Sequence, residues 1–116
     1  MEILLPKGRA AKCEITVLDS SGTQPLVLDG SSGIKLGIVD KKTNELLVEK
    51  DAVIEDGSLG VVSITFTAED TEDAFVEVGT RGDSFPFRSA YYGIIYIMEG
   101  NDVVSVPVPL DVIFVP

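Results

Sequence analysis

From Gly60 to Thr71 the chain reads GVVSITFTAEDT, and few folds accommodate that stretch. Val62, Ile64 and Phe66 are apolar, while Ser63, Thr65 and Thr67 between them are small and polar. That two-residue period belongs to a strand with one face in a core and the other in water. The apolar members are β-branched or aromatic, which suits a pleated surface. Burying all three is worth roughly 1.5–3 kcal/mol each as an upper value. Gly57 and Gly60 mark the entry. The alternation ends at Ala68-Glu69-Asp70-Thr71, where a short helical corner is expected. The stretch predicts a central strand of an all-β domain.

Its neighbours repeat the period. In Ala11–Asp19, Ala11, Cys13, Ile15 and Val17 fall on one face, with Lys12, Glu14 and Thr16 on the other. A turn follows at Asp19-Ser20-Ser21-Gly22, where Asp and Ser bond their own backbone and Gly permits positive φ. Leu26–Leu28 is expected as a short strand before a loop over Asp29–Gly33. Ile34, Leu36 and Ile38 share a face, Lys41–Glu45 (KKTNE) is a polar turn, and Leu46–Lys50 returns, so 34–50 reads as a hairpin. Ala52–Ile54 is read as a separate short strand. Ala90–Glu99 is the most apolar run and lacks one-sided alternation, as in a strand covered on both sides by the chain or by another subunit. After a turn at Gly100-Asn101-Asp102, Val104, Val106, Val108, Leu110, Val112 and Phe114 share one face. Pro107 and Pro109 fall on the other, so that part belongs at an edge or a bulge. Short strands and closely spaced turns argue for a sandwich or barrel.

With 116 residues and 45% hydrophobic content, the chain is one domain's worth with ample core material. We read residues 1–10 as an N-terminal arm or edge strand and 11–116 as one domain with a loop inserted at about 72–89. There are 19 acids, 9 bases and no His, giving a formal charge of −10. That sign argues against nucleic acid, which requires a basic patch. Only Lys7, Arg9 and Lys12 lie close together. Such an arm could dock on an acidic neighbour, a second copy included, although a solvated strand entry is the simpler reading. Ile3–Leu5 is too short an apolar core for a signal peptide, and no apolar run has membrane-spanning length. The lone Cys13, in an apolar row, reads as a buried free thiol in a reducing compartment.

The chemistry to be weighed is sparse. Without His, neither a Ser/His nor a Cys/His nucleophile can be assembled, and no acid lies in an apolar context that would raise its pKa. The chain is read as non-enzymatic, with no cofactor. Glu69, Asp70, Glu72, Asp73 and Glu77 invite a calcium reading, but EF-hand spacing and its turning Gly are missing, so no metal is expected. Val78–Arg88 (VGTRGDSFPFR) reads as an exposed loop. It holds Arg81-Gly82-Asp83, the tripeptide that integrins recognise, and the aromatic pair Phe85 and Phe87.

Together, KGRAAKCEITVLDSSGTQPLVLDG and IKLGIVDKKTNELLVEKDAVIEDGSLGVVSITFTAEDT resemble the immunoglobulin-like domains of tailed-phage virion proteins. The likeness is to the N-terminal domain of baseplate upper proteins and to related tail or head accessory proteins. It covers residues 7–71 and, more loosely, 93–115. Family members run straight from the corner into a G-T-Y strand, whereas Glu72–Ser89 is longer here. The resemblance implies an antiparallel Greek-key sandwich of about seven or eight strands. It also implies a structural protein in the virion, in the tail, the baseplate or on the capsid surface. Its partners would be other virion subunits and copies of itself in a symmetric array. Contacts are expected from Lys7, Arg9, Arg81, Asp83, Phe85, Phe87 and Tyr91. The alternative is a ligand-binding or host-adhesion module that uses the 80–88 loop.

Overall fold

The computed structural model describes residues 2–19, 21–28, 33–80, 82, 84–105 and 109–116. Among them are ten strands: β1 (Glu2–Pro6), β2 (Ala11–Thr16), β3 (Gly33–Asp40), β4 (Leu46–Asp56), β5 (Val61–Phe66), β6 (Glu77–Val78), β7 (Phe87–Arg88), β8 (Tyr91–Glu99), β9 (Asp102–Ser105) and β10 (Leu110–Val115). One helical turn, α1 (Ala68–Thr71), follows β5. The all-β expectation holds.

Eight strands form one hydrogen-bonded path in the order β1-β10-β8-β3-β4-β5-β2, with β9 added to β8. The pairs are antiparallel except β1 with β10, which run parallel from Glu2↔Asp111 to Pro6↔Val115. Residues 2–6 are therefore an edge strand and not a free arm. The path is continuous because of β4. Its 11 residues span about 36 Å at about 3.3 Å each. Leu46–Ala52 pairs with β3, and Val53–Asp56 pairs with β5 across a register shift. Where the sequence reads two strands, 46–50 and 52–54, a single bent strand carries the sheet round a corner. The sheet closes nearly into a barrel, and β1 and β2, its two ends, meet at the Lys7–Ala10 turn.

The inner faces follow the sequence periodicity. Ile15, Val62, Ile64 and Phe66 from β2 and β5 meet Ile34, Leu36, Ile38, Ile95, Val112 and Phe114 in one buried cluster. Cys13 lies half-buried against it, and burial pushes its thiol pKa up. Other expectations are corrected. The 60–71 stretch supplies a strand next to the sheet's end, while β8 and β3 hold the middle. Ser63, on its polar row, is buried and donates from Oγ to Glu55 Oε1 at 2.6 Å. Leu26–Leu28 forms no strand; Leu18 and Pro25 make an isolated bridge instead. The 103–115 run breaks into β9 and β10. Pro109 lies at the break, and β10 is an inner strand between β8 and β1. Val106, Pro107 and Val108 lie outside the described residues, as do Asp29–Ser32 of the expected loop.

Two local devices fix the curled sheet. Gly60 turns the chain between β4 and β5 at φ +69°, and a Cβ there would lie 2.6 Å from the Leu26 carbonyl oxygen and 2.8 Å from that of Val17. The amide of Val17 donates to the Gly60 carbonyl at 2.8 Å, which fastens the 17–28 segment onto the turn. The second device is the α1 corner. Asp70 caps its own turn, accepting from the Thr67 amide at 2.7 Å, and pairs with Lys50 of β4 at 2.9 Å. Those interactions hold its carboxyl pKa below the usual range, the Thr67 amide contributing most. Thr71 is buried. Its Oγ1 accepts from the Gly8 amide at 2.9 Å and donates to the Pro6 carbonyl at 3.3 Å, tying the corner to the β1–β2 turn.

Gly60→Ala should cost about 2–4 kcal/mol, since it combines strain at positive φ with overlap against backbone oxygens. Chemical denaturation measures it. Asp70→Asn should cost about 1 kcal/mol at neutral pH. The folded pKa of Asp70 is depressed, so its contribution is present above the unfolded value, about 3.9, and disappears as pH falls through the folded one. The stability gap between wild type and Asp70→Asn should therefore close below about pH 4 in acid melts.

Candidate interaction surface

The chain between α1 and β8 forms a miniature hairpin. β6 and β7 pair as Glu77↔Arg88 and Val78↔Phe87, and the Gly79 amide donates to the Pro86 carbonyl at 2.7 Å. Phe85 and Phe87 meet edge to face with ring centroids 5.9 Å apart. Phe87 is half-buried, while Phe85 is 41% exposed, Val78 71% and Phe75 58%. Val78, paired with Phe87, and Phe85, packed on Phe87, make an apolar prong on an acidic molecule, while Phe75 lies at the hairpin's base. Arg88 reaches Thr80 Oγ1 at 2.9 Å and steadies the hairpin. A cleft of about 150 Å³ lies at its base, lined by Asp40, Lys41, Lys42, Phe75, Glu77, Ser89 and Ala90.

Tyr91 fixes the hairpin's far end. It is 4% exposed, its ring packs at 85° on Phe114 with centroids 5.1 Å apart, and its hydroxyl accepts from the Phe75 amide at 2.8 Å. Tyr91 is thus a core residue, a correction to its expected place in a contact surface. Its neighbour Tyr92 is the exposed one, at 42%. The strand period explains the swap: Tyr91, Gly93, Ile95 and Ile97 point inward, leaving Tyr92, Ile94, Tyr96 and Met98 on the outer face. The apolar run of β8 is therefore buried on one side and half-exposed on the other. The Lys41 ammonium sits 4.7 Å above the Tyr92 ring and 2.8 Å from Asp111 Oδ1.

The basic arm is dispersed. Lys7 is exposed, with its amide bonded to the Val115 carbonyl at 2.8 Å, while Arg9 donates to the Pro116 carbonyl at 2.7 Å. Arg81 and Asp83 lie outside the described residues. The acidic stretch does not converge: among the described residues, no group of three or more His, Cys, Asp or Glu side chains could hold a metal ion. An open depression of about 540 Å³ at the opposite end of β3 is lined by Gly33, Lys35, Asp51, Met98 and Asn101, and Lys35 already pairs with Asp51 at 3.9 Å. No helix among the described residues is long and apolar enough to cross a membrane.

Sequence reasoning singled out Phe85 and Phe87, which the hairpin brings together. It missed Phe75, Val78 and Tyr92. Phe75 and Val78 beside the acids Glu72, Asp73 and Glu77 were the available signal for the first two. No family model matches this sequence, and no curated protein matches it.

Tyr91→Phe should destabilise the fold by about 1–3 kcal/mol, because it strands the Phe75 amide. Phe85→Glu, on an exposed ring, should change the melting midpoint little. Parallel thermal melts compare the two.

Proposed function

We propose that this chain is a non-enzymatic structural module of a tailed-phage particle, with an immunoglobulin-like Greek-key sandwich fold, and that the β6–β7 hairpin contacts another virion subunit. The fold part is supported by strand order. β1, β10, β8, β3 and the first half of β4 form one layer, while the second half of β4, β5 and β2 form the other. The links β1–β2, β2–β3 and β5–β8 each cross between layers, as Greek-key connections do. The Tyr91 hydroxyl also accepts from the Phe75 amide, 16 residues upstream, and so joins the start of β8 to the β5–β8 connection. The virion part is supported by the sequence resemblance over residues 7–71.

The observation that carries the binding role is the exposed apolar pair on the hairpin, Val78 opposite Phe87 and Phe85 packed on it. Apolar side chains gathered on an ordered protrusion mark contact sites, because burying them against a partner is worth more than leaving them wet. The prong is flanked by the exposed acids Glu69, Glu72 and Asp73, so a subunit surface with an apolar pocket and basic rim matches it.

Immunogold labelling of purified particles with antibody to this chain tests the proposal. Labelled particles are expected, with label lost when the chain carries Val78→Glu and Phe85→Glu while remaining folded. Unlabelled wild-type particles, or normal incorporation of the double variant, would overturn it.

A further inference from the structure

The two end strands of the sheet differ in what their outer edges offer. Among the described residues, β1 pairs only with β10 and β2 only with β5. The Lys7 amide donates to the Val115 carbonyl, so Ile3, Leu5 and Lys7 turn their main-chain groups toward β10. Pro6 falls on the outer edge of β1. It has no N–H to give there, and its carbonyl already accepts from Thr71 Oγ1. On β2, the Val17 amide donates to the Gly60 carbonyl in register with the ladder, so Ala11, Cys13 and Ile15 bond to β5. The N–H and C=O groups of Lys12, Glu14 and Thr16 therefore point along the other edge. Lys12 and Glu14 are exposed, and no proline interrupts β2.

We infer that this edge of β2 pairs with the same edge of a second copy, antiparallel about a two-fold axis, and so continues the sheet across a dimer. Charge selects both the occupant and the register. Residues whose main-chain groups point outward must meet others of the same kind. Of the central two-fold registers that do so, one sets Lys12 against Lys12 and another sets Glu14 against Glu14. The register between them sets Lys12 of each copy against Glu14 of the other. Opposite charges directly across a strand pair attract, and like charges repel. In that register each Lys12–Glu14 pair also exchanges N–H to C=O bonds in both directions. The surroundings add no opposing charge, since Thr65 and Ser63 of β5 lie beside Lys12 and Glu14. Residues 7–16 carry Lys7, Arg9 and Lys12 against the single acid Glu14, on a chain whose net charge of −10 opposes association elsewhere.

The axis passes beside Cys13. The two Cys13 residues face each other there as a pair without ladder bonds, with Cα atoms about 4.5 Å apart. That lies within the span a disulfide bridges, about 4.4–6.8 Å. The thiol is half-buried at the margin of the core, so it borders the seam and reports on the pairing. A short ladder without a large apolar contact gives weak association, in the upper micromolar range. The pairing uses a different surface from the hairpin and stands whether or not the chain belongs to a virion.

Sedimentation equilibrium of the purified, reduced chain from about 10 to about 500 µM tests it. A closed monomer–dimer equilibrium is expected. Lys12→Glu sets acid against acid at both pairs and should weaken the dimer by ~10-fold or more; adding Glu14→Lys to the same chain should restore it. Amide hydrogen exchange over the same range should show Lys12 and Glu14 protected only as the dimer forms, with Cys13 and Ile15 protected throughout. Diamide should link the wild-type dimer through Cys13: the paired thiols give up their protons and an electron pair to the reagent and form one S–S bond. Cys13→Ser should abolish the link and keep the dimer. A monomer at the highest concentration, a dimer indifferent to Lys12→Glu or not restored by exchanging both charges, a dimer that diamide does not link, or one whose Lys12 and Glu14 amides stay unprotected would overturn the inference.

Discussion

Two buried hydroxyl groups at the corner between β5 and β8 organise this molecule. Thr71 Oγ1 bridges the Gly8 amide and the Pro6 carbonyl, and Tyr91 Oη receives the Phe75 amide. Each takes up a backbone amide outside the strands that has no ladder partner, which would otherwise cost desolvation energy. The first bond ties the corner to the β1–β2 turn, where the two ends of the curled sheet meet. The second ties it to the start of β8. With Asp70 bound to Lys50 of β4, the corner is tied to β4 as well, and the aliphatic interior closes beneath it.

That corner also decides what the rest of the chain can present. Because the chain is held at Phe75 and again at Tyr91, the segment between them forms a loop with both ends anchored. A two-residue ladder and the Phe85–Phe87 contact are then enough to shape a hairpin. The same anchoring sets the register of β8. Tyr91 enters the core and Tyr92 faces water; a slip of one residue would exchange the two rows and bury the wrong one. The half-exposed outer row of β8 and the hairpin are thus placed by one constraint.

Much of the interior was legible because strands with one wet face write a two-residue period into the sequence. Ile34, Leu36, Ile38, Val62, Ile64 and Phe66 were all found that way, and the helical turn at Ala68–Thr71 was marked by loss of the period. Path and partner were harder to read. Nothing local in LLVEKDAVIED distinguishes one strand bent between two partners from two strands joined by a break, since pairing is a long-range property. Tyr91 and Tyr92 sit side by side in a run apolar on both faces, so the period there has no phase. The hydroxyl contact that sets it comes from Phe75, 16 residues earlier.

Native-state amide hydrogen exchange at Gly8 and Phe75 tests the corner most directly. Neither residue lies in a strand, and each donates its amide to a buried hydroxyl. Both amides should exchange at least ~100-fold more slowly than in an unstructured chain, opening together with the strands they fasten. Unprotected exchange at both, with β3, β5 and β8 still protected, would contradict the account.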